Sequence, residues 1–321
     1  MRLIEVRNFG GPEVLEYVER SVPEAGAFQV VIKVEAIGIN PVETYIRAGE
    51  YPVLPDLPYI PGGNCAGCIH EVGEGVTGFT VGQRVYTASK KGAYSEYCLC
   101  DFREIYPLPE EMSFNEGAAL GTPAATAYRA LFTRGSGRAG ERVLVHGASG
   151  SVGLAAIQLG HAAGMRMYGT AGSEKGLQCI LESGADGALL HHGKYIKKLQ
   201  SFVPKGFDLI LEMLANKNLE IDLSLLAPGG RVVIIGSRGR IEIDPRATMG
   251  RETDIRGLAL ANATREELMA THAALSVAMK SGHLKPVIAD VLPMSQAAEA
   301  HRRVLESGNC GKIVLIPESD G

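Results

Sequence analysis

The sequence predicts an α/β protein of two parts, a mainly-β domain and a domain built on a doubly wound parallel sheet. Three observations carry this. The chain has 321 residues, 45% of them hydrophobic, which is ordinary globular composition for about two domains. Its first stretch, residues 1–115, reads as short strands broken by turns. From Glu116 onward strand and helix signals alternate, the pattern of a parallel sheet covered by helices.

In the first stretch, Val30-Val31-Ile32-Lys33-Val34 is a strand pattern. Gly62-Gly63, Gly73-Glu74-Gly75 and Val81-Gly82-Gln83-Arg84 punctuate the residues C-terminal to it. Prolines cluster between Pro52 and Pro61, which makes that segment a loop and not a central strand. Gly117 to Leu131 is Ala-rich and apolar at helical spacing, with Pro123 starting or bending a helix. Beyond it, Val143 to Val145, Met165 to Tyr168, Phe207 to Leu214, Arg231 to Ile235 and Ile255 to Leu260 read as strands, and Ser151 to Gly164 and Thr264 to Ser281 as helices. Ser295 to Glu306 reads as a helix and Lys312 to Ile316 as a last strand.

The sharpest local signal is Val143-Leu144-Val145-His146-Gly147-Ala148-Ser149-Gly150-Ser151-Val152-Gly153. A strand runs into a glycine-rich turn and then a helix, as in the dinucleotide-binding fingerprint. Gly150 lets the backbone approach a pyrophosphate, and Gly153 lets the helix pack on its strand. The amides at Ser151 and Val152 open the helix and can bind phosphate oxygens. An enzyme selective for NAD places Asp or Glu about 20 residues past this turn, on the ribose 2′-hydroxyl. Here Gly169-Thr170-Ala171-Gly172-Ser173 holds that place, Lys175 follows, and His191 lies beyond the next strand. Small neutral residues beside a cation suit a 2′-phosphate, so the expected cofactor is NADPH. Glu174 is placed in a first helical turn, facing away.

Several segments together resemble one family. Phe9-Gly10-Gly11-Pro12-Glu13-Val14-Leu15, Gly38-Ile39-Asn40-Pro41-Val42-Glu43-Thr44-Tyr45, the glycine turn, Thr126-Ala127-Tyr128-Arg129-Ala130-Leu131, Glu212-Met213-Leu214-Ala215-Asn216 and Gly236-Ser237-Arg238-Gly239 are similar to the zeta-crystallin-like quinone oxidoreductases of the medium-chain dehydrogenase/reductase superfamily. The resemblance spans essentially the whole chain. It implies a GroES-like domain from residues 1–115, completed by residues 276–321, with a Rossmann domain over 116–275. It implies NADPH-dependent reduction of quinones, ortho-quinones above all, in a homo-oligomer, a tetramer or dimer. Carried over by position, Tyr45 and Thr126 lie near the nicotinamide, Ser149, Gly150, Ser151 and Val152 hold the pyrophosphate, and Gly153 belongs to the same cofactor site. Gly172, Ser173, Lys175 and His191 surround the adenosine phosphate. Asn218, Ile235, Gly236, Ser237, Arg238, Leu258, Ala259 and Leu260 complete the groove. Ser151 stands where the family has a second glycine, a change a helix start tolerates. Leu189-Leu190-His191-His192-Gly193 also departs from its counterpart.

No metal is expected. A catalytic zinc needs Cys, His or carboxylate ligands around an open position. The superfamily's usual Cys position holds Asn40, and its His-Glu pair is replaced by Gly63-Asn64. Cys65-Ala66-Gly67-Cys68, with Cys98 and Cys100 nearby, reads as buried thiols in strands. Gly-x-Ser-x-Gly is not met around Ser149. The chemistry then rests on the cofactor, with Asn40, Tyr45 and Thr126 hydrogen-bonding the ribose, the nicotinamide or an acceptor oxygen. Hydride transfer and net single-electron reduction are both compatible with these residues.

Two other readings compete. Related zinc-free reductases act on enals or enones, and a second activity, binding of AU-rich RNA, finds a local basis in Lys194, Lys197, Lys198 and Lys205. The formal net charge of −4 gives no general pull toward nucleic acid or an anionic membrane. Six cysteines set mostly in apolar runs suit a reducing compartment. No apolar run approaches the roughly 18 residues a membrane helix needs, and a cytoplasmic location is expected.

Overall fold

Buried β-branched residues set up the first sheet. The computed structural model describes residues 1–88, 92–193, 195–306 and 308–318, so Lys194 lies outside the described residues. The chain divides into two units, residues 1–122 with 286–321, and residues 123–285. In the first unit the strand Gln29–Gly38 buries Val30, Val31, Ile32 and Ile37 completely. It pairs antiparallel with Cys65–Val72 and with Tyr97–Asp101. Its far end pairs with Lys312–Ile316, which runs parallel to Ile288–Pro293, so the C-terminal segment completes a seven-stranded sheet.

The helix Pro41–Ala48 was not foreseen as an element, although its signals are local. Asn40 precedes Pro at the first helical position, and Glu43 turns back to accept from the Asn40 amide at 2.9 Å. Gly49 ends it with a φ of +79°, a conformation that glycine adopts without strain.

The second unit is a six-stranded sheet in which every pair is parallel. Its order is Gly187–Leu190, Arg166–Ala171, Arg142–Val145, Phe207–Glu212, Leu226–Ile234, Asp254–Gly257. That is the doubly wound order, first strand inward and reversal between first and fourth. The central strands are apolar throughout because helices cover both faces: Val143, Leu144, Val145, Leu209, Ile210 and Leu211 have no exposed surface. The expected helix from Thr264 to Ser281 is present as Arg265–Lys280, its first turn closed by Thr264 and Glu267 capping each other's amides at 3.2 Å. The apolar stretch after Gly117 breaks into Phe114–Ala118, Gly121–Tyr128 and a π-helical turn, Arg129–Arg134. No helix among the described residues is long and apolar enough to cross a membrane.

Candidate functional site

The glycine turn follows the first parallel strand, and two of its residues, Gly147 and Gly153, have steric reasons for being glycine. Gly147 sits at a φ of +57°. A Cβ on Gly153 would lie 2.5 Å from the Ala148 Cα, so only glycine lets the helix Ser151–Ala162 seat against the turn. Around Gly150 an added Cβ meets nothing closer than the Gly147 carbonyl at 3.5 Å, which leaves the turn's rim open. The twelve-residue helix begins at Gly150 with no side chain capping its first amides. By contrast, the next helix, Glu174–Glu182, has its first turn closed by Ser173 Oγ, which accepts from the Gly176 amide at 3.1 Å. Uncapped amides at the positive end of a helix dipole, beside the open rim at Gly150, form a donor set suited to a pyrophosphate.

The other expected cofactor residues of this unit fall on one edge of the sheet. Gly172 and Ser173, His191, Asn218, residues 235–238 and residues 258–260 each follow the C-terminal end of a parallel strand, where open α/β sheets bind ligands. Glu174 and Lys175 are exposed in the first turn of their helix. The His191 amide donates to the Ala171 carbonyl at 2.9 Å. Its imidazole pKa is lowered, by partial burial first and then by His146 and His192. The amides of Ile235 and Gly236 both donate to the Glu212 carbonyl, at 2.9 and 3.2 Å, and the Arg238 amide donates to Asn216 Oδ1 at 2.9 Å. Ser237 Oγ donates to the Gly239 carbonyl at 3.1 Å. The Leu258 amide donates to the Ile234 carbonyl at 2.9 Å, and the Ala259 carbonyl accepts from Arg129 at 3.1 Å. Leu260 opens a short 3-10 turn, and Thr126 is buried on the helix Gly121–Tyr128.

Asn40 and Tyr45 belong to the first unit. Asn40 is buried and its amide is engaged at both ends. Its Oδ1 accepts from Lys312 Nζ at 2.6 Å, and its Nδ2 donates to Glu43 Oε1 at 2.9 Å and to Asn64 Oδ1 at 2.7 Å. The other Glu43 oxygen accepts from the Tyr94 hydroxyl at 2.7 Å. Lys312 is completely buried, and burial lowers its amine to about 8, with Glu43 opposing the shift. Tyr45 lies in the helix Pro41–Ala48, and its carbonyl accepts from the Glu50 amide at 2.9 Å.

This neighbourhood does not fit zinc. The amine of Lys312 stands against the amide that replaces a ligand, and Gly63-Asn64 offers neither imidazole nor carboxylate. Cys65 and Cys68, three places apart on one strand, point to opposite faces. Hydrogen bonding to Cys98 and then burial hold Cys65 well above the usual thiol range, so it stays a neutral thiol. Among the described residues, no group of three or more potential metal ligands includes a cysteine.

A buried polar cluster was missed from the sequence. His146, Glu212 and Asp222 lie together where the strand order reverses. Two signals mark it: a histidine directly before the glycine turn, and an acid ending the apolar run Phe207 to Leu211. His146 Nε2 lies 2.8 Å from Asp222 Oδ1. Burial lowers the imidazole's pKa and raises both carboxyls, to about 7 each.

A GroES-like sheet joined to a dinucleotide-type parallel sheet defines a medium-chain dehydrogenase/reductase. A family model described as alcohol dehydrogenase GroES-like domain matches residues 26–110, and one described as zinc-binding dehydrogenase matches residues 151–276. The human quinone oxidoreductase is 49% identical over 321 residues, covering 98% of each chain. The crystal structure of the Escherichia coli quinone oxidoreductase complexed with NADPH superimposes with a TM-score of 0.90 at 29% identity, covering 99% of this chain and 100% of that one. The rat synaptic vesicle membrane protein VAT-1 homolog is 32% identical, over 99% of this chain and 84% of its own. The chain belongs to the zinc-free quinone oxidoreductases of the superfamily.

Proposed function

We propose that the protein oxidises NADPH and reduces a quinone, of the ortho-quinone type, without a metal. One observation carries the reading: an uncapped helix start behind a glycine turn left open at Gly150, with no acid where a 2′-hydroxyl would need one. The human relative's name and the NADPH in the bacterial structure support the acceptor and the cofactor.

NADPH supplies the reducing equivalents when bound, and the chain positions and shields it. The amides of Ser151, Val152 and Gly153 bind the pyrophosphate beside Ser149 and Gly150. Gly172 and Ser173 leave room for the 2′-phosphate, and Lys175 and His191 supply positive or hydrogen-bonding groups to it. Asn218, residues 235–238 and residues 258–260 line the groove. Tyr45 and Thr126 hydrogen-bond the nicotinamide or ribose, and Tyr45 offers a hydroxyl to an acceptor oxygen. Asn40 acts by ordering the start of the helix that carries Tyr45. A quinone is intrinsically electrophilic, so hydrogen bonds suffice where a carbonyl would need a Lewis acid.

The acceptor is tested by steady-state NADPH oxidation with an ortho-quinone beside an alkenal. Quinone turnover well above alkenal turnover is expected, and the reverse order overturns the acceptor and favours an enone reductase. We place the protein in the cytoplasm as a homo-oligomer, a tetramer or dimer, which sedimentation checks. The exposed Lys197, Lys198 and Lys205 support RNA as a second ligand. Competition between NADPH and an AU-rich RNA, weakening steeply with salt, is then expected. Absence of any gel retardation at low salt removes that ligand.

A further inference from the structure

We propose that Glu212 and Asp222 share a proton and act as a positioning pair for the cofactor groove, so that NADPH binding is coupled to proton uptake. The inference rests on the NADPH reading and concerns residues that reading does not use.

The geometry is that of a buried switch point. Glu212 and Asp222 have no exposed surface. Their carboxyl oxygens lie within 4.8 Å of one another, and Glu212 Oε2 and Asp222 Oδ2 have no hydrogen-bond partner. Two carboxylates cannot face each other in a dry interior unless a proton lies between them. The remaining oxygens are committed outward. Glu212 Oε1 accepts from the Leu214 amide and from Asn218 Nδ2 at 3.1 Å. Asp222 Oδ1 accepts from His146 Nε2, and His146 Nδ1 faces Thr170 Oγ1 at 3.3 Å. Thr170 in turn accepts from the Gly147 amide through Oγ1 at 3.2 Å and from the Ala148 amide through its carbonyl at 2.8 Å. The Glu212 carbonyl holds Ile235 and Gly236. The pair's carboxyls therefore anchor two segments of the groove, the glycine turn and the stretch from Leu214 to Asn218, while the Glu212 backbone holds the start of residues 235–238.

The titratable groups facing the pair are few. His146 stays neutral through burial, chiefly, against the pull of Glu212. Tyr195, on the helix Tyr195–Phe202, is held protonated by burial and then by Asp222 and Glu212. His191 interacts with His146 and is itself discouraged from charging. Only His146 pulls on Glu212 as a cation would, and its burial opposes its charging. Loss of the shared proton leaves two adjacent anions, and repulsion moves Glu212 or Asp222 away from its partners. Asn218 and the turn then lose their anchor. NADPH, which needs those segments in place, binds best to the protonated pair and draws a proton from solvent when it binds at alkaline pH.

The probe is NADPH itself, and with no Trp in the chain its fluorescence is free of tryptophan background. Its dissociation constant is measured from about pH 6 to about pH 9. Proton uptake is measured by calorimetry in buffers of different ionisation enthalpy at about pH 8, where the 2′-phosphate is already ionised. The wild-type chain is expected to weaken by up to about tenfold per pH unit above the pair's midpoint and to take up as much as about one proton. E212Q mimics the protonated carboxyl, donating to Asp222 and accepting from Asn218. It should flatten the pH profile relative to wild type and abolish the uptake. D222N removes the same charge from the other side and serves if E212Q does not fold. A wild-type chain that binds NADPH without proton uptake, or a variant whose uptake and profile match wild type, overturns the proposal. Failure to bind NADPH at any pH would instead overturn the cofactor reading.

Discussion

The glycine turn of the second unit and the Asn40 cluster of the first solve opposite problems. The turn is made of backbone. Its glycines let backbone pack closely, and the phosphate binding proposed for it rests on a helix start that no side chain caps. The Asn40 cluster is made of side chains from distant places in the chain, and Lys312 reaches Asn40 across 272 positions of sequence. The first arrangement tolerates no added atom at Gly153. The second tolerates no missing charge.

That contrast orders the expected effects. Lys312→Met should be the most damaging, because it leaves the Asn40 oxygen unpaired and Glu43 without a nearby cation. Leaving a buried acceptor unsatisfied costs about 1–3 kcal/mol, and more where a charge is involved, to be read from urea unfolding. A loss below about 1 kcal/mol would mean that the cluster is not electrostatically coupled. Gly153→Val tests the other limit. Its Cβ would press on Ala148, and overpacking of this kind costs about 1–3 kcal/mol. NADPH affinity should fall more than stability, since the helix start moves. Unchanged affinity would separate that helix from the cofactor.

Much of the second unit was legible in the sequence because its signals are local. A strand, a turn with fixed glycines and a helix lie within residues 142–162, and periodicity finds them. The 16-residue helix Arg265–Lys280 was equally plain, its capping residues being neighbours in sequence. What escaped was long-range. Nothing near Asn40 announces Lys312, and nothing near His146 announces Asp222. Pro41–Ala48 was overlooked because the residues its helix buries, Glu43, Thr44 and Arg47, are polar, so their burial could not be read from an apolar pattern. The residues Gly172, Ser173 and Lys175 were placed by spacing from the turn, and Ser173 has the further duty of capping the helix that carries Lys175.

The two units also differ in how pH acts on them. In the first, His301 is buried against Tyr94 at 2.9 Å and Arg47 at 3.4 Å, and burial and then Arg47 lower its pKa to about 3. The unfolded chain takes a proton there near 6.5, so His301 contributes stability above that pH and loses it as pH falls toward 3. The slope is up to about 1.4 kcal/mol per pH unit. H301Q should flatten the acid limb of a stability profile, and an unchanged limb would place the acid sensitivity elsewhere. In the second unit, the raised carboxyls of Glu212 and Asp222 work with the opposite sign: their contribution is complete below about pH 4 and is lost as pH rises through about 7. Smallest of all, Lys175→Ala should weaken NADPH by about 3- to 10-fold and NADH hardly at all, because an exposed lysine makes only a modest contact with the 2′-phosphate. Equal weakening of both would remove Lys175 from cofactor choice.

The central claim, a metal-free NADPH site serving a quinone, is tested most directly by following NADPH and NADH oxidation with an ortho-quinone after exhaustive treatment with a chelator. Fast oxidation of NADPH, little of NADH and no loss to the chelator is the predicted result. Activity that disappears with the metal, or that runs as well on NADH, would contradict it.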